Sequence, residues 1–391
     1  MKHMSGKQVF FIGYLAYSSL YIARLNLTVA SPVMQEQGMM SASEIGLMGG
    51  IFFVLYSAGQ LLNGYFGDIL PPKVMVMTGL FLTALSNLGI WCMPEAWIII
   101  ALWGMNGFAQ SMLWGPLLRS IGAYFSSGKK TFFASILVSS VGVGSVLGVF
   151  LATAAIRLGK VADAFLWPGL LALAVFVIAA VLFPYSKQRA YRKQGGVLKT
   201  VFTPWFCMLL TAAMFHGVLK DNINLWMASY FMDSYAIDLV TMSFYVFAVP
   251  LLSLVGRLIY PFCYRLLGKK EHIVSAAALL VTILSLIPLC SEGVHVGVAA
   301  AGLSVAAAAI SVVNTSFLTI YPMRYEKEGN VSKIVGVMDF ATYMGAGLSS
   351  SVYGRWLENH SYSGMFASWI AFAAAAVVIL IMIQNKEKKN E

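Results

Sequence analysis

The fold of this chain is decided by AFLWPGLLALAVFVIAAVLFP (164–184) and by YSKQRAYRKQGGVLKTVFT (185–203), which follows it directly. The first stretch contains no charged residue, and about 20 apolar residues are enough to cross a bilayer as a helix. The second stretch is polar, basic and contains two glycines. Together they predict a membrane-spanning helix followed by a cytoplasmic connection that divides the chain in two.

The composition extends this prediction to the whole chain. Of its 391 residues, 59% are hydrophobic and 11% are charged, and the mean hydropathy is +0.78. A soluble domain carries roughly 25% charged residues. The sequence therefore predicts an all-α integral membrane protein with twelve transmembrane helices, near residues 8–33, 44–66, 73–93, 95–118, 131–156, 164–184, 204–231, 239–262, 272–290, 293–322, 333–354 and 362–384.

The polar stretch separates six of these segments from the other six. It predicts an N-terminal six-helix bundle (1–184), a cytoplasmic linker (185–203) and a C-terminal six-helix bundle (204–391). An internal duplication is indicated because Gly64 and Gly256 lie 192 positions apart. Halves related by a pseudo-twofold axis are a recurrent design of transporters, with the binding site at mid-membrane.

The distribution of lysine and arginine predicts the orientation, since positively charged loops stay on the cytoplasmic side. If the N-terminus is inside, the loops on the opposite side keep only Arg157, Lys160 and Arg355. Both termini are therefore predicted to be cytoplasmic. The net charge of +10 is scattered over loop ends that meet anionic lipid head groups, which predicts the lipid bilayer, and no nucleic acid, as a partner.

Arg24 and Lys220 are cations deep inside apolar segments at corresponding places in the two halves. The segment ARLNLTVAS around Arg24 corresponds to LKDNINLWMAS around Lys220 at an offset of 196. A charge near the bilayer centre costs roughly 3 kcal/mol, so such residues persist where they face a water-filled cavity or a partner. The pair predicts an anionic ligand, and the alternative for Arg24 is a side chain that snorkels to the membrane surface.

Polar side chains share helical faces with these cations. Tyr14, Tyr17 and Tyr21 precede Arg24 at spacings of 3, 4 and 3, which places all four on one face. The same spacing rule predicts three further shared faces, namely His216 with Lys220 and Asn224, Tyr56 with Gln60 and Asn63, and Asp339 with Tyr343. His216 is predicted to take part in coupling or charge balance at the site, and on its own it is also compatible with a packing role.

Asp221 and Asp339 formally balance the two cations. An incoming anion would then displace an internal partner or meet a protonated carboxyl group. Burial raises a carboxyl pKa and a nearby cation lowers it, so both proton coupling and a structural ion pair stay open for Asp339. Asp221 is adjacent to Lys220 in sequence, which allows a neutralising role without requiring direct pairing.

The stretch GYFGDILPPK (64–73) resembles the signature of the major facilitator superfamily. The resemblance implies a tight turn between the second and third helices and a lock at the cytoplasmic gate. It would consist of Gly64, Asp68 and Lys73, with Arg119 as a partner.

More narrowly, the chain is similar to the organophosphate:phosphate antiporter family in the segments YIARLNLTVASP (21–32), WGPLLR (114–119), LKDNINLW (219–226) and DFATYMGAG (339–347). In that family a cation in helix one and another in helix seven hold the phosphate, with aromatic residues around them. The resemblance implies that role for Arg24 and Lys220, with Tyr17, Tyr21, Tyr56, Trp114 and Tyr343 around them.

The chain departs from the family pattern at several of these positions. Leu25 stands where family exchangers carry a lysine, Gln60 replaces a lysine of helix two, and the stretch 139–148 of the fifth helix lacks their histidine. The cation of helix seven is Lys220 instead of arginine, which removes the planar fork of donors. These departures weaken the prediction that the chain exchanges inorganic phosphate. They do not weaken the prediction that it binds an organic anion.

The sequence therefore predicts a secondary active transporter of a small organic anion, and a phosphorylated metabolite is the favoured substrate. It would work by alternating access with antiport or proton coupling. The alternatives are a proton-coupled efflux pump for amphipathic compounds and a membrane sensor of an organic phosphate. No enzymatic activity, cofactor or metal is predicted. The expected location is the bacterial inner (plasma) membrane, and the expected state is a monomer.

Overall fold

The computed structural model describes residues 6–92, 95–125, 127–184, 203–325 and 331–390. Apart from Thr203, the predicted linker lies outside these ranges. Every regular element of the described residues is a helix. The N-terminal half contains α1 (Gly6–Glu36), α2 (Ala42–Ile69), α3 (Pro72–Cys92), α4 (Ala96–Gln110), α5 (Trp114–Tyr124), α6 (Ser127–Leu158) and α7 (Asp163–Leu182).

The C-terminal half contains α8 (Pro204–Tyr235), α9 (Leu239–Leu266), α10 (Glu271–Leu286), α11 (Val296–Thr315), α12 (Val331–Leu357) and α13 (Tyr362–Asn390). A 3₁₀ turn (Ile287–Cys290) extends α10. A π-helical turn (Ser316–Ile320) followed by Tyr321–Met323 extends α11. Each predicted span corresponds to one of these helices, except that the fourth (95–118) is divided between α4 and α5.

Local side-chain chemistry fixes several helix ends. Ser41 and Glu44 form a reciprocal capping box at the start of α2. Asp238 begins α9 by accepting hydrogen bonds from the Thr241 hydroxyl and from two backbone N–H groups, which lowers the pKa of its carboxyl group. The interruption between α4 and α5 lies just before Pro116, whose ring nitrogen carries no hydrogen to bond the preceding turn.

Nine helical segments of the described residues are long and apolar enough to cross a membrane. This confirms the prediction of an all-α membrane protein. The other three predicted spans coincide with α1, α8 and α12, which have 31, 32 and 27 residues but are more polar. These three helices carry Arg24, Lys220 and Asp339. The count of twelve spans and the orientation of the termini stay predictions.

The chain divides into two compact units, Met1–Tyr191 and Arg192–Glu391. Their internal packing follows the same order. In the first unit α1 packs on α6, α2 on α4, and α3 on α7. In the second unit α8 packs on α12, α9 on α11, and α10 on α13. The two halves of the sequence thus build the same arrangement of helices.

Glycines allow the helices that carry the cations to approach their neighbours. A methyl group at Gly144 of α6 would overlap the Ser18 carbonyl of α1. In the second unit, a methyl group at Gly217 of α8 would overlap the Thr342 carbonyl of α12. Such contacts between backbones are typical of close helix packing in membranes. Gly142 is not part of this contact, because open space surrounds the position of its missing side chain.

Candidate functional site

Arg24 of α1 is half-buried and lies among four aromatic rings. Its guanidinium carbon lies 5.6 Å from the ring centre of Tyr21, 5.0 Å from Phe52, 5.5 Å from Phe53 and 5.3 Å from Tyr56. We call these four rings the aromatic cage. A cation within about 6 Å of an aromatic face is attracted by the ring quadrupole, by up to about 2 kcal/mol where water is excluded. The cage therefore stabilises the charge inside the apolar segment.

The cage continues along α1 through two further aromatic residues of the predicted set. The ring of Tyr17 lies 5.5 Å from that of Tyr21 and 4.9 Å from that of Trp114 on α5. Tyr14 lies on the same face, but its hydroxyl is hydrogen-bonded to Ser139 of α6 at 3.1 Å. The predicted stripe on α1 thus brings Tyr17, Tyr21 and Arg24 together, while Tyr14 contributes to helix packing.

The helix α2 supplies both predicted and unpredicted residues to this region. Phe52 and Phe53 belong to the cage although they were not predicted, because an apolar residue in an apolar segment gives no signal of its own. Gln60 is half-buried and lies one turn beyond Tyr56. Asn63 lies one turn further, is buried and donates a hydrogen bond of 2.7 Å to Ser111 at the interruption between α4 and α5.

The opposite face of α1 is anchored by buried amides. Asn26 donates hydrogen bonds of 3.0 Å to the side chain of Asn87 on α3 and to the carbonyl of Ala164 on α7. Asn106 of α4 donates a bond of 2.9 Å to the carbonyl of Ala23. Buried polar groups that are hydrogen-bonded specify one arrangement of the helices. These bonds fix the rotation of α1 and so the direction of the face that carries Arg24.

In the second unit, Lys220 of α8 is held by a carboxylate and a ring. Its Nζ lies 3.2 Å from Oδ2 of Asp221 and 4.2 Å from the ring centre of Tyr343 on α12. The side chains of Lys220 and Asp221 are 19% and 7% exposed. The two neighbours in sequence therefore do form an ion pair, a possibility that the sequence left open.

Asn222 occupies the place in α8 that Asn26 occupies in α1, two residues after the cation. Its amide donates a hydrogen bond of 2.8 Å to Ser349, and its carbonyl oxygen accepts one of 3.0 Å from Ser350, both on α12. Two residues rotate a helix by about 200°, so the asparagine lies opposite the cation. Neither asparagine was predicted to be an anchor, although both stand at the same place where ARLN (23–26) corresponds to LKDN (219–222).

The remaining predicted residues of α8 and α12 have separate roles. His216 is fully buried, and its Nε2 lies 3.4 Å from Oδ1 of Asn314 on α11. Asn224 donates a hydrogen bond of 3.0 Å to the backbone carbonyl of Lys220. Asp339 is half-buried one turn before Tyr343. These contacts favour helix packing for His216 and leave Asp339 on the side of α12 that carries Tyr343.

Three of the predicted gate residues, Gly64, Asp68 and Lys73, lie along the end of α2 and the start of α3. The turn between these helices is as tight as predicted, since α2 ends at Ile69 and α3 begins at Pro72. Lys73 donates a hydrogen bond of 2.7 Å to the backbone carbonyl of Ala180 on α7, and Arg119 is half-buried on α5. Gly64 and Asp68 lie in α2, but their surroundings fall outside what the structure describes.

The second unit also contains buried or paired charged residues that were not predicted to belong to a site. Arg257 lies in α9, inside a segment apolar enough to cross a membrane, and its Nε is buried without a hydrogen-bond partner among the described residues. A simple search for every charge within an apolar segment would have found it. In addition, Arg324 forms ion pairs with Glu271 at the start of α10 and with Glu387 near the end of α13.

Each unit offers a cation that is suited to binding an anion. Arg24 presents a planar guanidinium with several N–H donors, whereas Lys220 presents a point charge that already has an anionic partner. Among the described residues, no group of three or more histidine, cysteine or acidic side chains is placed to hold a metal ion.

Two of three curated proteins similar to this chain carry names that refer to phosphorylated compounds, and the third is named as a membrane sensor. The "Phosphoglycerate transporter protein" of Salmonella typhimurium is 36% identical over 115 residues, which are 29% of this chain and 24% of that protein. The "Probable hexose phosphate transport protein" of Chlamydia trachomatis is 20% identical over 98% of this chain and 92% of its own length. The "Membrane sensor protein UhpC" of Salmonella typhimurium is 22% identical over 97% and 91%, respectively.

A solved structure and a family assignment complete these comparisons. The crystal structure of a mutant of the nucleoside transporter NupG has a TM-score of 0.76 with 14% identity, over 97% of this chain and 99% of that chain, which shows the fold. The family described as Major Facilitator Superfamily matches residues 13–350. These matches agree with the apolar helices and with the repeated packing of the two units. This integral membrane protein therefore belongs to the Major Facilitator Superfamily.

Proposed function

We propose that this chain is a secondary active transporter that moves a small organophosphate across the bacterial inner membrane by alternating access. The transported compound is bound and released unchanged, so the chain is not an enzyme. Arg24 and Lys220 each contact the anionic group. Tyr17, Tyr21, Tyr56, Gln60, Trp114, Asn224 and Tyr343 contact the rest of the substrate.

The observation that carries this proposal is the occurrence of one cation in α1 and one in α8, each set against aromatic side chains within a membrane segment. Charged residues in such segments are expensive and mark pathways for substrates or ions. The relatives named for phosphoglycerate and hexose phosphate support a phosphorylated substrate.

The Asp221 carboxylate gives unit two a means of coupling. In the absence of substrate it neutralises Lys220, and an entering phosphate competes with it for the same ammonium group. Release of substrate restores the internal pair, so neither state leaves the lysine charge without a partner. We propose that Asp221 and Asp339 set the occupancy or protonation of the site, that His216 orients α8 from behind, and that Gly64, Asp68, Lys73 and Arg119 form the cytoplasmic gate.

The direct test is uptake of labelled organophosphates into vesicles loaded with a candidate counter-substrate. The substrate is first identified by a thermal-shift screen of sugar phosphates, phosphoglycerates, phosphonates, sulfonates and carboxylates, because a ligand at 100 times its Kd adds roughly 2.7 kcal/mol of stability. Arg24→Gln and Lys220→Gln should each lower uptake, while Arg157→Gln, which removes an exposed cation, should not. Unchanged uptake in both core variants would refute the site, and uptake of none of the phosphorylated compounds would refute the function.

A membrane sensor is the second candidate, because one full-length relative carries that name. A sensor and a transporter share the binding step but differ in exchange. If the purified chain is stabilised by a phosphorylated compound but catalyses no counterflow in vesicles, the sensor replaces the transporter. An efflux pump would be indicated if amphipathic cations, and no anions, gave the thermal shift.

A further inference from the structure

A groove of about 430 Å³ opens between α12 and α13 in the second unit. Both helices pack along α8, while they touch each other at few points, so α8 forms the floor of the groove. The apolar lining includes Phe215 and Val218 on the floor, Leu348 and Val352 on one wall, and Met365 and Phe372 on the other. None of the residues proposed to bind substrate lines this groove.

The polar side chains in the groove are already hydrogen-bonded within the protein. Ser349 donates a bond of 2.7 Å to the carbonyl of Gly345. Ser368 donates one of 2.7 Å to the carbonyl of Met365 and is also bonded to the Tyr353 hydroxyl at 2.7 Å. Water needs two to four polar partners to occupy a cavity. The groove therefore offers few free hydrogen-bond partners to water, which favours an apolar occupant.

The edge of the groove is exposed and apolar. Leu348 is 54% exposed, Val352 is 61% exposed and Trp356 is 39% exposed. Because α12 is one of the predicted membrane spans, we expect these side chains to meet lipid. The groove is therefore continuous with the surface that faces the bilayer.

The length of the groove matches one leaflet. Its lining on α12 extends from Gly345 to Trp356, and a rise of 1.5 Å per residue makes this about 17 Å. The hydrocarbon core of a bilayer is about 30 Å thick, so one leaflet contributes about 15 Å. An acyl chain that lies in the groove would begin at the Trp356 end.

That end also provides contacts for a head group. Trp356 stacks on His360 with ring centres 4.1 Å apart, and its indole nitrogen donates a bond of 3.3 Å to the Ser361 carbonyl. Arg355 is exposed beside it in the last turn of α12. Tryptophan is enriched at the level of the head groups, and arginine is suited to a phosphate.

We propose that the groove between α12 and α13 binds one acyl chain of a bilayer phospholipid, whose phosphate is held by Arg355. The apolar lining, the exposed edge and the matching length select the chain, and the cation at one end selects the phosphate. This inference does not rest on the proposed transport function.

The test is native mass spectrometry of the purified full chain with added phosphatidylglycerol. The wild type should retain one phospholipid after others are stripped. Val352→Trp should fill the groove and weaken this binding at least tenfold, because Val352 is exposed and its replacement leaves the floor intact. Val378→Trp is the matched control, since Val378 is 58% exposed on α13 outside the groove. Leu348→Trp replaces Val352→Trp if that variant does not fold.

The head-group contact is tested separately. Arg355→Gln should weaken binding of phosphatidylglycerol by about three- to tenfold, while Arg157→Gln should not. The proposal is overturned if the wild type retains no phospholipid, or if the groove variant and its control retain it equally. Loss of binding in Val352→Trp with none in Arg355→Gln would overturn the phosphate contact alone and keep the acyl-chain site.

Discussion

The two units surround their equivalent cations differently. In unit one, Arg24 is followed by Leu25 and Asn26, and its charge lies in a cage of four rings. In unit two, Lys220 is followed by Asp221 and Asn222, and its charge is paired with the carboxylate. The anchoring asparagine is thus kept, while the residue between it and the cation changes from apolar to acidic.

This difference indicates that the two cations have different roles in binding. A guanidinium in an aromatic cage keeps its charge at any accessible pH and offers donors in fixed directions. An ammonium group paired with a carboxylate presents its charge to a substrate only when the internal partner is displaced or protonated. We expect Arg24 to define the shape of the bound anion and the Lys220 pair to respond to occupancy.

The largest effect is expected when unit one is given the acidic residue of unit two. Leu25→Asp introduces a carboxylate beside Arg24 at a position that is 8% exposed. A buried ion costs several kcal/mol and would compete with the substrate anion, so a loss of uptake of the order of 100-fold is expected. Leu25→Asn is the uncharged control of the same size and should retain much more activity. Equal losses in the two variants would show that charge is not the cause.

Exchange of the two cations should be asymmetric. Arg24→Lys removes the planar group that fits the cage and should lower kcat/KM by about 10- to 100-fold, in line with about 1.5–3 kcal/mol for hydrogen bonds to a charged group. Lys220→Arg keeps the charge and the ring contact, and should stay within a fewfold of the wild type. Uptake by reconstituted vesicles measures both. Similar losses in both variants would remove the distinction between a fixed and a responsive cation.

The glycines of the helices that build the two units should differ in their tolerance of a methyl group. Gly217→Ala places a methyl group against the Thr342 backbone, which cannot move aside as a side chain could, and should destabilise the protein by about 1–3 kcal/mol or more. Gly148→Ala meets the backbone of Ile22 at 3.1–3.2 Å and should cost less. Gly142→Ala faces open space and serves as the control. Thermal unfolding in detergent measures the order, and a control as unstable as Gly217→Ala would contradict the contact.

Removal of the internal carboxylate should raise the affinity for the substrate, whereas the changes at Leu25 and Arg24 should lower uptake. Asp221→Asn leaves Lys220 without the pair at 3.2 Å, so an anion need not displace it. We expect substrate to bind a fewfold more tightly and to be released more slowly. Titration of substrate binding together with the turnover rate checks this. Weaker binding in Asp221→Asn, with the fold intact, would show that the carboxylate helps to hold the substrate.

The smallest effect is expected at the ring that covers Lys220. Tyr343→Leu removes the cation–π contact and should raise KM by about two- to fivefold, as expected for about 0.5–1 kcal/mol. Tyr343→Phe keeps the ring and should be nearly neutral unless the hydroxyl contacts the substrate. A larger loss in Tyr343→Phe than in Tyr343→Leu would assign the role to the hydroxyl group.

Much of the arrangement could be predicted from local pattern. Helical spacing placed Tyr17, Tyr21 and Arg24 on one face because side chains three and four apart lie side by side on any α-helix. The same rule failed to separate Tyr14, which shares the face but is bonded to Ser139 on α6. Spacing along one helix says nothing about which neighbouring helix meets each turn.

The sequence by itself determined the membrane class, the apolar segments and the two corresponding cations, because these depend on composition and on positions along one chain. Only the tertiary structure decided which groups surround those cations. Phe52 and Phe53 joined the cage, Asp221 paired with Lys220, and Asn26 and Asn222 became anchors. The physical reason is that cation–π contacts and buried hydrogen bonds act over a few ångströms between different helices, so they follow from packing and cannot be read from spacing.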